Sequence, residues 1–160
     1  MSPTFTAGVY DPADARRGDS RPPFKHSART RVAFSDTDAQ GVVYYGRYNP
    51  YFDFARVEYL RRLGLLDRGG DAQFVMRANT VDYLAPAVFD DELEIYCRVA
   101  RIGRTSMTYE FAAYRKPDDV LMVTATQTLV LVDLVERRAQ EIPADVWECI
   151  HDFEGDDLER

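Results

Sequence analysis

The chain has 160 residues, is 46% hydrophobic and carries a formal net charge of −7. That length suits one domain, and the composition supplies a core and excludes an intrinsically disordered chain. The acidic balance argues against broad nucleic-acid binding, and no run of about 18 apolar residues is available to span a membrane.

Residues Met1–Ser27 mix prolines and charges without a hydrophobic period. They are expected to form a tail or an arm lying on the surface, with Val9 and Tyr10 as local docking points. The start of the chain lacks the basic and apolar regions of a secretory signal. A strand is expected over Thr30–Phe34, where Val32 and Phe34 alternate with Arg31 and Ala33. Ser35, Asp36, Thr37 and Asp38, followed by Gly41, have the composition of a loop. A helix follows, with Asn49 as N-cap, Pro50 at its first position and Gly64 as the stop signal. Phe52, Ala55, Tyr59, Leu60 and Leu63 form one apolar face, and Tyr51, Phe54 and Val57 widen it. Such a helix is buried on most sides, leaving Arg56, Glu58, Arg61 and Arg62 to an exposed arc or to pairing across an interface.

After Gly69-Gly70 the chain reads as strand. Ala72–Leu84 is one, with an irregularity near Asn79 and Pro86 beyond it. Glu92–Ile102 alternates cleanly, with Leu93, Ile95, Cys97 and Val99 on one face and Glu94, Tyr96, Arg98 and Ala100 on the other. Gly103-Arg104 is a tight turn leading to a return strand through Met107, Tyr109, Phe111 and Ala113. Lys116–Asp119 turns the chain again into a strand over Val120–Leu134. Pro143 opens a short helix to about His151, and Glu154–Arg160 is a charged end expected to fray. The order is α+β: a short strand, a long helix, then four long strands. An antiparallel sheet with one buried face must curl around so narrow a cover, and its edges invite a partner subunit. The domain is placed at residues 28–153. Cys97 and Cys149, the only cysteines, are too far apart in sequence to argue for a disulfide, and a reducing cytoplasm is the simpler reading.

No nucleophile elbow, phosphate loop or Cys-x-x-Cys pair is present, and His26 and His151 are the only histidines. A Ser-His-Asp triad and a histidine-rich metal site are therefore disfavoured. Carboxylate chemistry remains. Asp36 and Asp38 stand between a strand and a helix start, where like charge and desolvation raise a carboxylate pKa and helix-leading N–H groups stabilise an oxyanion. Turn capping is the commoner role for aspartates so spaced. Tyr44, Tyr45, Tyr48 and Tyr51 are read as core residues or as the walls of an acyl or aryl pocket. Arg98, Arg101, Arg104, Arg115 and Lys116 are read as a solvated rim or a landing site for phosphates.

The stretch FSDTDAQGVVYYGRYNPYFDFARVEYLRRLG resembles the signature of hotdog-fold thioesterases, the family of 4-hydroxybenzoyl-CoA thioesterases and Tol-Pal-associated acyl-CoA thioesterases. The pattern is carried by Asp36, Asp38, Gly41, Val43, Tyr44 and Tyr45. The resemblance implies a long central helix wrapped by a curved antiparallel sheet. It implies hydrolysis of an acyl-CoA thioester without a cofactor, in a homodimer or homotetramer. Asp38 becomes the catalytic base or nucleophile, and the Tyr45 backbone N–H becomes the group that polarises the thioester carbonyl. Gly41, Val43, Tyr44, Tyr48 and Phe52 then belong to the substrate site, and Arg104, Thr105 and Ser106 match its coenzyme A contacts. The family helix begins near Tyr45, which places Pro50 inside it. Phe34, Arg47 and the Tyr45 side chain depart from parts of the family. An acyl-carrier-protein thioesterase and a non-catalytic acyl-CoA-binding protein stay open as alternatives, and a dehydratase is disfavoured because no histidine lies in the central region.

Overall fold

The computed structural model describes residues 21–66 and 70–159. The expected docking points Val9 and Tyr10, and Gly69, lie outside these residues.

The first strand, β1, is Ser27–Arg31, earlier than the expected Thr30–Phe34. It pairs antiparallel with the later strand Glu92–Ile102, with Ala28 opposite Ile95 and Thr30 opposite Leu93. The strand ends because the Asp36 side chain accepts the Ala33 N–H at 2.9 Å. That bond curls Phe34–Asp36 into a 3-10 turn. Val32 is buried as expected, but Phe34 is 73% exposed.

The helix α1 spans Tyr48–Arg62 and is preceded without a break by a 3-10 turn, Tyr45–Arg47. The helical run thus starts at Tyr45, where the family resemblance put it, and not at Pro50. Pro50 is the third residue of α1, within the first turn, where N–H groups lack α-helical acceptors, so it costs little there. Gly64 closes the helix at φ 71°, a conformation glycine adopts without strain, and the Leu65 N–H reaches back to the Leu60 carbonyl at 2.9 Å.

Four long strands follow: β2 Ala72–Tyr83, β3 Glu92–Ile102, β4 Ser106–Lys116 and β5 Val120–Asp133. A two-residue strand β6, Arg138–Ala139, and a helix α2, Ala144–Glu154, complete the chain. The sheet order is β1-β3-β4-β5-β2, with β6 beside the end of β5. The irregularity expected near Asn79 is a register shift between Met76 and Ala78. It keeps Met76 and Phe74 opposite Leu129 and Leu131, on the same face as Asn79, Val81 and Tyr83.

The curled sheet holds α1 against its inner face, chiefly over β1 and β3. Phe52 packs on Phe111 with ring centroids 4.9 Å apart, and Tyr59 meets Tyr109 edge-on at 6.1 Å. The helix meets β2 at its first turn, where the Tyr48 ring lies 5.7 Å from that of Tyr83 and Asn79 donates to Asn49 at 2.9 Å, and elsewhere the inner face of β2 stays open, with Met76 45% exposed. Glu58, expected in the exposed arc, is buried and is reached by Arg61 at 3.3 Å.

β3 differs from expectation in being buried on both faces. Its outer face is covered by the two ends of the described chain. The Arg21 guanidinium lies 3.7 Å from the centroid of the Tyr114 ring and 5.3 Å from that of Tyr96. From the other end, the Asp157 carbonyl accepts Arg98 at 3.0 Å and the Glu159 N–H donates to the Ala100 carbonyl at 2.8 Å. The expected fraying after Glu154 is not seen among the described residues, because Glu154 is buried and accepts the Tyr59 hydroxyl at 2.7 Å. Among the described residues no helix is long and apolar enough to cross a membrane.

Candidate active site

The loop Thr37–Tyr44 is a tight polar turn pinned at both ends. The Asp38 N–H donates to Val42, and the Gly41 N–H returns to the Asp38 carbonyl at 2.9 Å. Gly41 sits at φ 79°, a conformation that a residue with a Cβ rarely adopts. Beyond it, the Val43 N–H reaches the Ala87 carbonyl and the Tyr44 N–H reaches the Asp36 carbonyl, each at 2.9 Å.

The two aspartates have separate jobs. Asp36 is buried and cross-braces the loop to the helix. Its Oδ1 accepts Nε and Nη2 of Arg47 at 3.1 and 2.9 Å, and its Oδ2 accepts the Tyr51 hydroxyl at 2.6 Å. Burial pushes its pKa up, but the bonds from Tyr51, Ala33 and Arg47 outweigh that and hold it below the usual carboxylate value. The expected mutual raising of the two carboxylates is therefore corrected for Asp36, whose charge is matched by Arg47. This also gives Arg47 a role: it neutralises a buried carboxylate.

Asp38 is half-buried, and its Oδ1 accepts the Gln40 N–H at 2.8 Å, an Asx turn. Its Oδ2 meets no hydrogen-bond partner among the described residues. Asp38 lines a groove of about 310 Å³ together with Gln40, Val42, Val43, Tyr45 and Tyr48 on one side. Tyr83, Leu84, Ala85 and Pro86 line the other side. The Tyr83 hydroxyl donates to the Tyr45 carbonyl at 3.1 Å and so fixes the peptide that leads the helical run. The N–H groups of Tyr45 and Gly46 are the first two of that run, with no helical acceptor before them. A carboxylate and helix-leading N–H groups around one groove can activate a nucleophile and hold a developing oxyanion.

Of the residues singled out from sequence, Asp38, Val43, Tyr45 and Tyr48 share this groove. Gly41 shapes the turn behind it. Tyr44 packs against Tyr45 with tilted rings 4.3 Å apart, outside the lining. Phe52 needs correction as a groove residue: it is fully buried in the core against Phe111. Sequence reading missed Tyr83 as a site residue, because a tyrosine at the end of a strand carries no chemical pattern.

Arg104, Thr105 and Ser106 stand elsewhere. Ser106 is level with Val130 and Val75 in the sheet, whereas Tyr83 is level with Val123 and Ala113. Eight residues of strand separate Val75 from Tyr83, about 26 Å at ~3.3 Å per residue. Arg104 instead pairs with Glu141 at 2.9 Å beside a cavity of about 390 Å³ that Trp147 and Ile142 also line. The expected basic cluster is also divided. Arg115 and Lys116 lie at the far end of the β3–β4 hairpin, where they pair with Asp118 and Asp119, because strands this long hold their ends apart.

A model of the thioesterase-like superfamily matches residues 32–150, which include the loop, the groove and all of α1. The chain belongs to that family. It is 31% identical over 125 residues to the acyl-CoA thioesterase YbgC of Haemophilus influenzae, covering 76% of this chain and 90% of that one. It is 33% identical over 119 residues to the acyl-CoA thioester hydrolase YbgC of Escherichia coli O6:H1, covering 72% and 88%. A solved structure of a hypothetical protein from Aquifex aeolicus superposes with a TM-score of 0.71 at 28% identity, over 78% of this chain and 98% of that one. The family resemblance and the hotdog fold read from the Asp36–Tyr45 pattern are thus borne out. Among the described residues no cluster of histidine, cysteine and carboxylate side chains is set to hold a metal ion.

Proposed function

We propose that this chain hydrolyses acyl-CoA thioesters, releasing the free acid and coenzyme A. The observation that carries this reading is the groove that joins the open carboxylate oxygen of Asp38 to the Tyr45 peptide. The thioester carbonyl lies against the leading N–H groups at Tyr45, which donate to its oxygen as that oxygen takes up negative charge in the tetrahedral intermediate. Asp38 removes a proton from water as the water attacks the carbonyl carbon; the carbon–sulfur bond then breaks, and the thiolate leaves as coenzyme A on taking that proton from Asp38. Direct attack by Asp38, through a mixed anhydride that water opens, uses the same geometry. The YbgC relatives, named as acyl-CoA thioesterases, support the choice of substrate.

The working unit in this reading is a homodimer formed along β2. That strand is an edge of the sheet, twelve residues long, and it is exposed over most of its length. So long an open edge calls for cover. Antiparallel pairing of two β2 edges centred near Asn79 sets Val75 of a second copy across from Tyr83. It thereby moves the second copy's β3–β4 turn toward the Asp38 groove, within reach of an extended pantetheine arm. This places Arg104, Thr105 and Ser106 where the nucleotide end of coenzyme A lies.

The test is a panel of aliphatic and aromatic acyl-CoA and acyl-carrier-protein thioesters, with Asp38→Ala as the control. Wild-type hydrolysis is expected, with kcat falling about 10²- to 10⁴-fold in the variant. Unchanged hydrolysis by Asp38→Ala refutes the assignment. Single turnover in heavy-oxygen water separates the two routes, since label enters Asp38 only if its carboxylate attacks.

A further inference from the structure

Arg47 stands where a cation is out of place. It closes the 3-10 turn that leads into α1, beside the positive end of the helix dipole, where a carboxylate is favoured and a guanidinium is not. Its charge is accepted there because Nε and Nη2 both donate to Asp36 Oδ1, at 3.1 and 2.9 Å. The carboxylate end of this pair is buried, with the Asp36 side chain 8% exposed, whereas the Arg47 side chain is 45% exposed. Two N–H groups on one oxygen hold a planar guanidinium in direction as well as in distance.

The same aspartate holds the other side of the turn. Its carbonyl accepts the Tyr44 N–H at 2.9 Å, and the Arg47 N–H donates to the Tyr44 carbonyl at 2.8 Å. Tyr45 and Gly46 are thus strung between Tyr44 and Arg47, and both of those residues are fastened to Asp36. Among the described residues, the N–H groups of Tyr45 and Gly46 donate to no protein group. Gly46 has no side chain to brace the turn, because a Cβ there would lie 2.8 Å from the Tyr44 ring. Asp36 itself is anchored away from the groove, where its Oδ2 accepts the Tyr51 hydroxyl at 2.6 Å and the Ala33 N–H at 2.9 Å. Tyr45 lines the groove with Asp38, whereas Asp36 and Arg47 stand behind it.

We infer that Arg47, acting through Asp36, is a positioning residue that aims the Tyr45 and Gly46 N–H groups at the thioester oxygen. The inference rests on the hydrolase reading and deepens it for that same site. The guanidinium touches neither the substrate nor Asp38. Donors stabilise an oxyanion only when they already point to where its charge develops. Backbone N–H groups have no rotamers with which to adjust, so their aim is set by whatever holds the ends of the turn. At the Tyr44 end that is a backbone bond. At the Arg47 end it is the forked bond to a buried carboxylate. With that bond gone the turn is free to shift, and a displacement of about 1 Å costs up to about a hundredfold in rate.

The experiment measures kcat and KM of the full chain on the best acyl-CoA substrate of the panel, with rates expressed per folded molecule from urea unfolding. Arg47→Ala is expected to lower kcat about ten- to a hundredfold and to leave KM within about twofold, since the N–H groups act mainly in the transition state. Arg47→Lys keeps the charge on a single ammonium in place of the planar fork, and is expected to fold and to recover only part of kcat. Millimolar guanidinium added to Arg47→Ala is expected to restore kcat several-fold and to leave wild type unchanged, because the exposed edge of the site admits the ion to Asp36. A merely structural role moves the unfolding curve and not kcat per folded molecule. Unchanged kcat in both variants, a loss confined to KM, or a kcat loss that guanidinium does not relieve overturns the inference while leaving hydrolysis in place. Absence of hydrolysis by wild type on every thioester overturns both readings.

Discussion

His26 makes a prediction that depends chiefly on burial. It is 1% exposed, neither ring nitrogen has a hydrogen-bond partner, and it meets the Tyr59 ring edge-on at 5.7 Å. Burial, with the Arg62 charge added, lowers its pKa from 6.5 to about 4. An unfolded chain therefore binds a proton at His26 that the folded chain refuses between those values. The stabilising neutral form is fully available above pH 6.5, and the advantage is lost as pH falls toward 4. The fall from 6.5 to about 4 corresponds to about 3 kcal/mol of stability lost across that window. Glu154, joined to the same Tyr59, runs the other way, since burial raises its pKa and folding favours its protonation as pH falls. The wild-type slope mixes the two, so the informative quantity is the difference between wild type and His26→Leu. Leucine fills a similar volume and does not titrate. Urea unfolding at pH 7.5, 6, 5 and 4.5 should show the variant equal to or more stable than wild type at the top of the range. Its lead should widen by about 2 to 3 kcal/mol at the bottom. A difference that stays constant with pH would refute the argument, as would an NMR titration placing His26 near 6.5.

Two further expectations concern the loop. Asp36→Ala strips the partners from Arg47, Tyr51 and the Ala33 N–H and is expected to cost about 3 kcal/mol, read by urea unfolding at pH 7. Because the Asp36 pKa is depressed, that cost belongs to pH values above about 4 and shrinks as acid protonates the wild-type carboxylate; an equal cost at pH 3 would count against the ion pair. Tyr83→Phe removes the bond to the Tyr45 carbonyl from a half-exposed hydroxyl. It is expected to lower kcat about three- to tenfold with less than about 1 kcal/mol change in stability. An unchanged kcat would mean that the Tyr45 peptide is held without Tyr83.

Local pattern was enough for several features because each depends on neighbours in sequence. β3 and the Gly103-Arg104 turn follow from alternation and turn chemistry, and the Asp38–Gly41 turn from Asx and glycine preferences. The spacing of Asp36, Asp38, Gly41, Val43, Tyr44 and Tyr45 sufficed to indicate the family and, with it, the hotdog fold. Tertiary structure decided what depends on distant partners. Whether Asp36 is a brace or a base rests on Arg47 and Tyr51, up to fifteen residues away. Which face of β3 is buried depended on segments from both ends of the described residues, and so both faces are. Tyr83 joined the groove only because β2 returns beside the helix start, and Arg104 was parted from it by the length of the sheet. A motif reports the backbone turn that its residues impose. The groove between that turn and β2 is made by packing elements far apart in sequence, and no local pattern encodes it.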